Sequence, residues 1–383
     1  MKAIIISDSF KGTLSSKEIS NLFENEFKKY FYNSQLIKLI VSDGGEGTID
    51  SYKSVKSGRD IYLKIKGPNF EEIMGRYYLF DDTAVIESSI AIGLSITKEK
   101  NPLNTTTYGV GELIKDAINR FNVKKIYVGL GGSSTNDGGC GCVQALGCKF
   151  YNKEGIMFTP TGGTLKDIYK IDNKDALRLT SKVEITLLSD CINPLYGKNG
   201  ASYIYAKQKG ADDKMIETLD DGLKYLSTIY KKYTGKDHSK DKGSGAAGGL
   251  SYGLISSTNA KIVSGINYIL DLIHFNDYIK DADYVFTGEG KFDNQSFNGK
   301  VITGIIERVK KINKKSKIII ISGINEIRSR TILKKNNIEK CYSLTDGNIT
   351  FSEMVNNAKN NYIKTADKCL EDLKINVQHK KNW

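Results

Sequence analysis

Five short apolar runs punctuate the chain, each ending in a small or acidic residue followed by a helical pattern. They are AIIIS at 3–7, KKIYVGL at 124–130, VEITLLSD at 183–190, DYVFTGEG at 283–290 and KIIIIS at 317–322. A compact apolar run without alternation suits a strand buried on both faces, and its exchange with helical periodicity predicts a parallel sheet with helices on both sides. The first helix is legible in detail. Ser15 and Glu18 stand at the spacing of a capping box, and Ile19, Leu22, Phe23, Phe27 and Tyr30 fall on one face. Residues 61–90 read differently, with alternating residues, a Gly-Pro turn and an Asp-Asp turn that predict antiparallel strands. From about 195 to 280 a lysine-rich helical stretch leads into GSGAAGGL and more helix. The pattern as a whole predicts two α/β domains woven together, one of them discontinuous.

Composition narrows the class. At 383 residues the chain exceeds one ordinary core, and 39% hydrophobic with 26% charged residues is the range of globular proteins. No apolar run approaches the roughly 20 residues of a membrane-crossing helix, and the opening MKAIIISDSFKG reads as a strand rather than a signal peptide. The formal charge of +12 raises nucleic-acid binding as a possibility. Yet the densest cluster, KKINKKSK at 310–317, carries no interleaved aromatics and sits where a helix ends and a strand begins. Lysines there suit the helix dipole and a solvated connection. The expectation is no nucleic-acid partner and no membrane, with a positive field that draws in small anions. Cys140, Cys142, Cys148, Cys191, Cys341 and Cys369 form no C-x-x-C pair and the three histidines are scattered, which argues against zinc. Buried thiols in a reducing cytoplasm are expected instead.

Candidate chemistry gathers in the loops after the strands, where ligands of parallel sheets bind. The stretch YVGLGGSSTNDGGCG at 127–141 is not a Walker A loop, because no Gly-Lys-Ser/Thr closes it. Nor is it a dinucleotide loop, since Ser134 stands where the third glycine belongs. It reads as a strand, a loop rich in backbone donors, and a helix over CVQALGCKF. That arrangement suits a phosphate on Gly131, Gly132, Ser133, Ser134, Thr135 and Asn136, with Asp137 acting through a cation. A tight turn is the plainer alternative. The GSGAAG at 243–248 matches a dinucleotide pattern only formally, because TGKDHSKDK before it cannot be a strand. No nicotinamide cofactor is expected, and the segment serves either as a second phosphate loop or for close helix packing. Acidic loops complete the set: SDSFKG with Asp8, Ser9 and Lys11; SDGGEGT with Asp43 and Glu46; TGEGKFDNQSFNGK with Gly288, Glu289, Gly290, Lys291, Asp293 and Lys300; and LSDCINPL with Asp190. Any one alone could be a turn. Together, carboxylates and lysines are what a Mg²⁺–nucleotide site requires.

These loops, in this order, resemble the bacterial glycerate kinase family from about residue 3 to 350. The blocks are DSFKGTLSS, SDGGEGT, AVIESSIAIGL, NPLNTTTYGVGELI, GLGGSSTNDGGCGCVQALG, DCINPLYGKNGASYIYAKQKGA, GSGAAGGL and DYVFTGEGKFDNQSFNGK. The resemblance implies an ATP-dependent kinase of D-glycerate, with 2-phosphoglycerate as the usual product of the bacterial type. It implies one Rossmann- or flavodoxin-like domain with a parallel sheet and one α/β domain with a mixed sheet, the active site lying in the interdomain cleft. On this chain the expected segments are 1–60 with 100–190 and 281–383 for the first, and 61–99 with 191–280 for the second. ATP is expected on Gly131–Asp137, with Gly288, Gly290 and Lys291. Mg²⁺ is expected on Asp8, Glu289 and Asp293. Lys11 or Lys291 would meet the glycerate carboxylate, Ser9 and Glu46 would complete the substrate contacts, and Asp190, then Asp43, would take the hydroxyl proton. Three departures are visible: Ser7 where the family has proline, Lys291 where it has arginine, and no glycine-proline pair in AKQKGA. Lysine is a point charge and makes no bidentate fork. Rival readings are a nucleotide- or sugar-acid-binding regulator of the same fold, a glycerate 3-kinase, and a phosphatase or mutase of three-carbon acids. Monomer and homodimer are both compatible with the sequence.

Overall fold

A computed structural model describes residues 1–297, 301–345 and 351–381. The chain divides into two compact units, one of Met1–Asp43, Asp50–Val55 and Ile266–Trp383, the other of Gly44–Ile49 and Lys56–Gly265.

The first unit is built on five parallel strands in the order Ile338–Ser343, Lys317–Ser322, Tyr284–Thr287, Lys2–Ser7, Gln35–Ile40. Numbered along the chain within this unit, the order is 2-1-3-4-5, that of flavodoxin-like folds. The apolar runs are strands for the expected reason: Ile4 and Ile6 are buried on one face, Ala3 and Ile5 on the other. Helix Ser16–Tyr30 starts at the predicted capping box, with Ser15 Oγ accepting from the Glu18 amide and Glu18 accepting from the Ser15 amide. Its buried stripe is Ile19, Phe23 and Phe27, while Leu22 and Tyr30 flank it half-buried. Phe23 packs on Phe286 with ring centroids 4.6 Å apart, and burying each such ring contributes about 1.5–3 kcal/mol. The helix Val301–Ile312 ends in Lys310 and Lys311 before the strand at Lys317, as the lysine cluster implied.

The second unit carries a mixed six-stranded sheet. Lys261–Val263, Glu184–Leu188, Lys125–Gly129 and Thr83–Glu87 run parallel; Glu72–Phe80 and Arg59–Lys66 follow antiparallel. The hairpins predicted over 61–90 are therefore present. Residues 100–190, expected with the first domain, instead belong to the second unit, because strands 125–129 and 184–188 pair beside 83–87. A both-faces-buried run carries no mark of which strand it will neighbour. The helix expected over CVQALGCKF is cut short. The helix is Cys140–Ala145, and Gly147, at φ +111°, breaks it, so that Lys149–Tyr151 is a short strand paired with Lys170–Asp172. All six cysteines are free, four of them buried. Among the described residues no helix is long and apolar enough to cross a membrane.

Candidate active site

In the first unit the carboxyl ends of strands Lys2–Ser7 and Tyr284–Thr287 lie side by side at the point where the strand order reverses, where open α/β sheets bind ligands. Asp8 follows the first strand and Glu289 the second; both are buried. The two loops are stitched together, with the Asp8 amide and the Ser7 hydroxyl each donating to the Gly288 carbonyl at 3.0 Å. Gly288 is a packing glycine: a Cβ there would stand 1.8 Å from the Ile321 carbonyl oxygen. That explains its presence without the nucleotide contact expected of it. Gly290 has more room, and its carbonyl accepts from Ile324. Among the described residues the Asp8 carboxylate accepts one hydrogen bond, from the Ser9 amide at 2.8 Å. Its pKa is pushed up to about 8, first by burial, then by the charge of Asp43; Lys11 opposes the rise and Glu289 adds to it. Lys11, largely exposed, stands 3.7 Å from Asp43. Ser9 Oγ is buried and finds no hydrogen-bond partner among the described residues. Lys291 pairs with Glu326 at 2.9 Å and Asp293 at 3.5 Å, and the Glu326 bond raises its pKa. Lys300 lies outside the described residues.

In the second unit the glycine-rich loop follows strand Lys125–Gly129. Its burial is uneven: Gly132 is exposed and Gly131 half-buried, whereas Ser133, Ser134, Thr135, Asn136 and Asp137 are buried. Most of its glycines answer to packing. A Cβ on Gly129 would come 2.7 Å from the Gly44 carbonyl, and one on Gly139 would come 2.9 Å from that of Leu250. Gly132 differs, with φ +62° and room for a Cβ, which would make only an ordinary contact, 3.8 Å, with the Ser89 Cβ; it is the loop's exposed tip. Asp137 reverses its expected role. One oxygen accepts from the Gly139 amide; the other accepts from the Thr107 amide, the Thr107 hydroxyl and the Gly141 amide, at 2.8–3.1 Å. The helix N-terminus that was to hold a phosphate already holds this buried carboxylate. Burial raises the Asp137 pKa and these hydrogen bonds oppose the rise. Burial and the nearby Asp137 charge also push the Cys140 and Cys142 thiols up, so neither is activated. GSGAAGGL backs the loop: Ala247, Gly248 and Gly249 are all left-handed, and a Cβ on Gly248 would meet the Thr135 carbonyl at 1.9 Å. The segment is closely packed, as one of its two expected roles requires.

Asp190 follows strand Glu184–Leu188, half-buried, and accepts from the Ser264 hydroxyl at 2.7 Å. Ser264 follows the neighbouring strand Lys261–Val263. Glu46 is exposed on the loop 44–47, whose glycines pack on Gly129 and Gly131. Three residues had no role in the sequence reading. Ser264 carried no signal. Glu87 ends its strand as Asp190 nearly does, and accepts from the Ile49 amide at 2.7 Å. Lys209 lies inside AKQKGA, and its ammonium is buried against the glycine-rich loop.

The model of the glycerate kinase family matches residues 3–374. The chain is 38% identical over 370 residues to a glycerate kinase of Bacillus cereus, covering 96% of each. The chain belongs to the glycerate kinase family. It is 33% identical over 383 residues to the glycerate 2-kinase of Escherichia coli K12, covering 99% of this chain and 100% of that one. A crystal structure assigned as glycerate kinase 2 from Salmonella typhimurium LT2 superposes with a TM-score of 0.80 at 34% identity over 99% of both chains. As a member of this family the protein is an enzyme, a glycerate kinase, and its parallel and mixed sheets are those the resemblance implied. Among the described residues, no three His, Cys, Asp or Glu side chains are drawn together as a metal cage. The expected trio is not one ligand set, since Asp293 is engaged with Lys291. Asp43 and Glu289 nonetheless raise the cost of ionising Asp8. Hard oxygen donors in that condition fit a hydrated Mg²⁺.

Proposed function

We propose that the protein transfers the γ-phosphoryl group of ATP to the 2-hydroxyl of D-glycerate, releasing ADP and 2-phospho-D-glycerate, in the cytoplasm. The observation that carries this reading is the buried Asp8–Glu289 pair at the switch point of a flavodoxin-like sheet, in a chain of the glycerate kinase family. The name of the Escherichia coli relative supports the 2-position.

In this reading the residues divide their work. Asp8 and Glu289, with Asp43 nearby, would hold Mg²⁺, which when bound offsets phosphate charge. Gly131, Gly132 and Ser133 take the phosphates through the loop's exposed tip. Lys11 meets the glycerate carboxylate, with Lys291 as the second cation, and the unpartnered Ser9 hydroxyl is suited to a substrate oxygen. Asp190, held by Ser264, accepts the hydroxyl proton as the glycerate oxygen bonds to the γ-phosphorus and the bond to the ADP oxygen breaks. Glu46 borders the loop that packs on the glycine-rich strand end.

The test mixes purified protein, ATP, Mg²⁺ and D-glycerate, follows ADP release, and reads the product by ³¹P NMR. A phosphomonoester on carbon 2 is expected. Phosphate on carbon 3 would overturn the regiochemistry and keep the kinase. No ADP with D-glycerate or any related hydroxy acid would overturn the reading in favour of a binding protein.

A further inference from the structure

Lys209 sits on a tight turn, Lys207–Lys209, after helix Ala201–Tyr205. The turn is locked from behind by Gly210, where a Cβ would stand 2.0 Å from the Lys100 carbonyl. The residue is only 2% exposed. Its Nζ donates to the Ser133 hydroxyl at 3.2 Å and to the Thr135 carbonyl at 2.7 Å. Both partners are neutral, and none of the described carboxylates hydrogen-bonds to it. A buried ammonium with neutral partners is costly, and a neutral donor would hold the same two oxygens. What the lysine adds is charge, placed against Ser133, the neighbour in sequence of the exposed Gly132.

We infer that Lys209 is a positioning residue for the nucleotide: it fixes the Ser133–Thr135 stretch and supplies the positive charge that the bound phosphates complete. The inference rests on the reading that this loop takes ATP phosphates. The surrounding groups agree with it. Asp137, on the loop, and Cys191, on the segment after strand Glu184–Leu188, are the ionisable groups that favour the charged form, and Tyr205 shares hydrogen bonds with Cys191 and Asn193. Asp137 is already committed to four donors, and burial holds Cys191 as a thiol. Burial lowers the Lys209 pKa to about 8. The ammonium is therefore charged below that pH and loses its charge above it, unless an anion arrives.

The experiment measures binding of ATP and of adenosine, without Mg²⁺, from pH 6 to 9.5. It uses the Asp8→Asn protein, so that Asp8 does not titrate in the same range. ATP affinity is expected to fall toward tenfold per pH unit above about 8, with adenosine unaffected. Lys209→Met should bind ATP at least about tenfold more weakly at pH 7 and lose that pH dependence. Equal pH dependence for ATP and adenosine would overturn the inference even if Lys209→Met does not fold. So would a folded Lys209→Met with unchanged ATP affinity. Gly132→Asp separates the two readings, because aspartate tolerates the left-handed backbone and brings negative charge to the tip. If Gly132→Asp weakens ATP but Lys209→Met does not, the loop reading stands and the Lys209 role falls. If Gly132→Asp binds ATP normally, both fall.

Discussion

Asp8 and Asp137 are both buried aspartates in loops after parallel strands, and burial raises the pKa of both. Their surroundings give them opposite meanings. Asp137 accepts four hydrogen bonds and joins the start of helix Tyr108–Phe121 to that of helix Cys140–Ala145. Asp8 accepts one and faces the charges of Asp43 and Glu289. A carboxylate surrounded by donors is a structural part. A carboxylate held near its own kind, with its charge resisted, is poised for a cation or a proton. Acidic loops that read alike as strings therefore separate into scaffold and chemistry.

The strongest way to break this contrast is Asp8→Asn. It should lower kcat/KM on the order of 10³-fold while raising Tm at pH 7. The sign follows from linkage. The folded pKa, about 8, lies above the ordinary 3.8, so the folded state keeps a proton that the unfolded state gives up between about pH 4 and 8. Stability then falls as pH rises through that window, and asparagine escapes the fall. A melting series from pH 4 to 8 should show the variant's advantage growing with pH; a variant that melts lower than wild type at pH 7 would place Asp8 with the scaffold.

Asp190→Asn comes next. Loss of a proton acceptor should lower kcat about 10²–10³-fold with ATP affinity within about threefold, by steady-state kinetics and calorimetry. Near-normal turnover would remove Asp190 from the mechanism and favour Asp43. Asp137→Asn sharpens the contrast from the other side. It should cost about 3 kcal/mol in urea denaturation, the opposite sign from Asp8→Asn, because asparagine cannot accept at both of its ends. Full stability combined with lost activity would return Asp137 to the phosphate site. The smallest effect is expected from Lys291→Ala. Its ion pairs are half-exposed, so stability should be almost unchanged, and the KM for glycerate should rise less than about tenfold.

What the sequence determined by itself is whatever a few neighbouring residues encode. The capping box of Ser15 and Glu18, the apolar face of the first helix, the hairpins of 61–90 and the placement of loops after strands are local matters of period and hydrogen bonding. The glycine-rich loop was legible as a special loop for the same reason. The tertiary structure decided what depends on distant partners. Strands 125–129 and 184–188 joined the second unit because they pair beside 83–87, and an apolar run has no address for its neighbour. Asp137 became scaffold because Thr107, thirty positions away, donates to it twice. Lys209 reaches a loop 76 positions earlier. Burial and charge balance are sums over everything nearby in space, and a linear pattern lists only what is nearby in the chain.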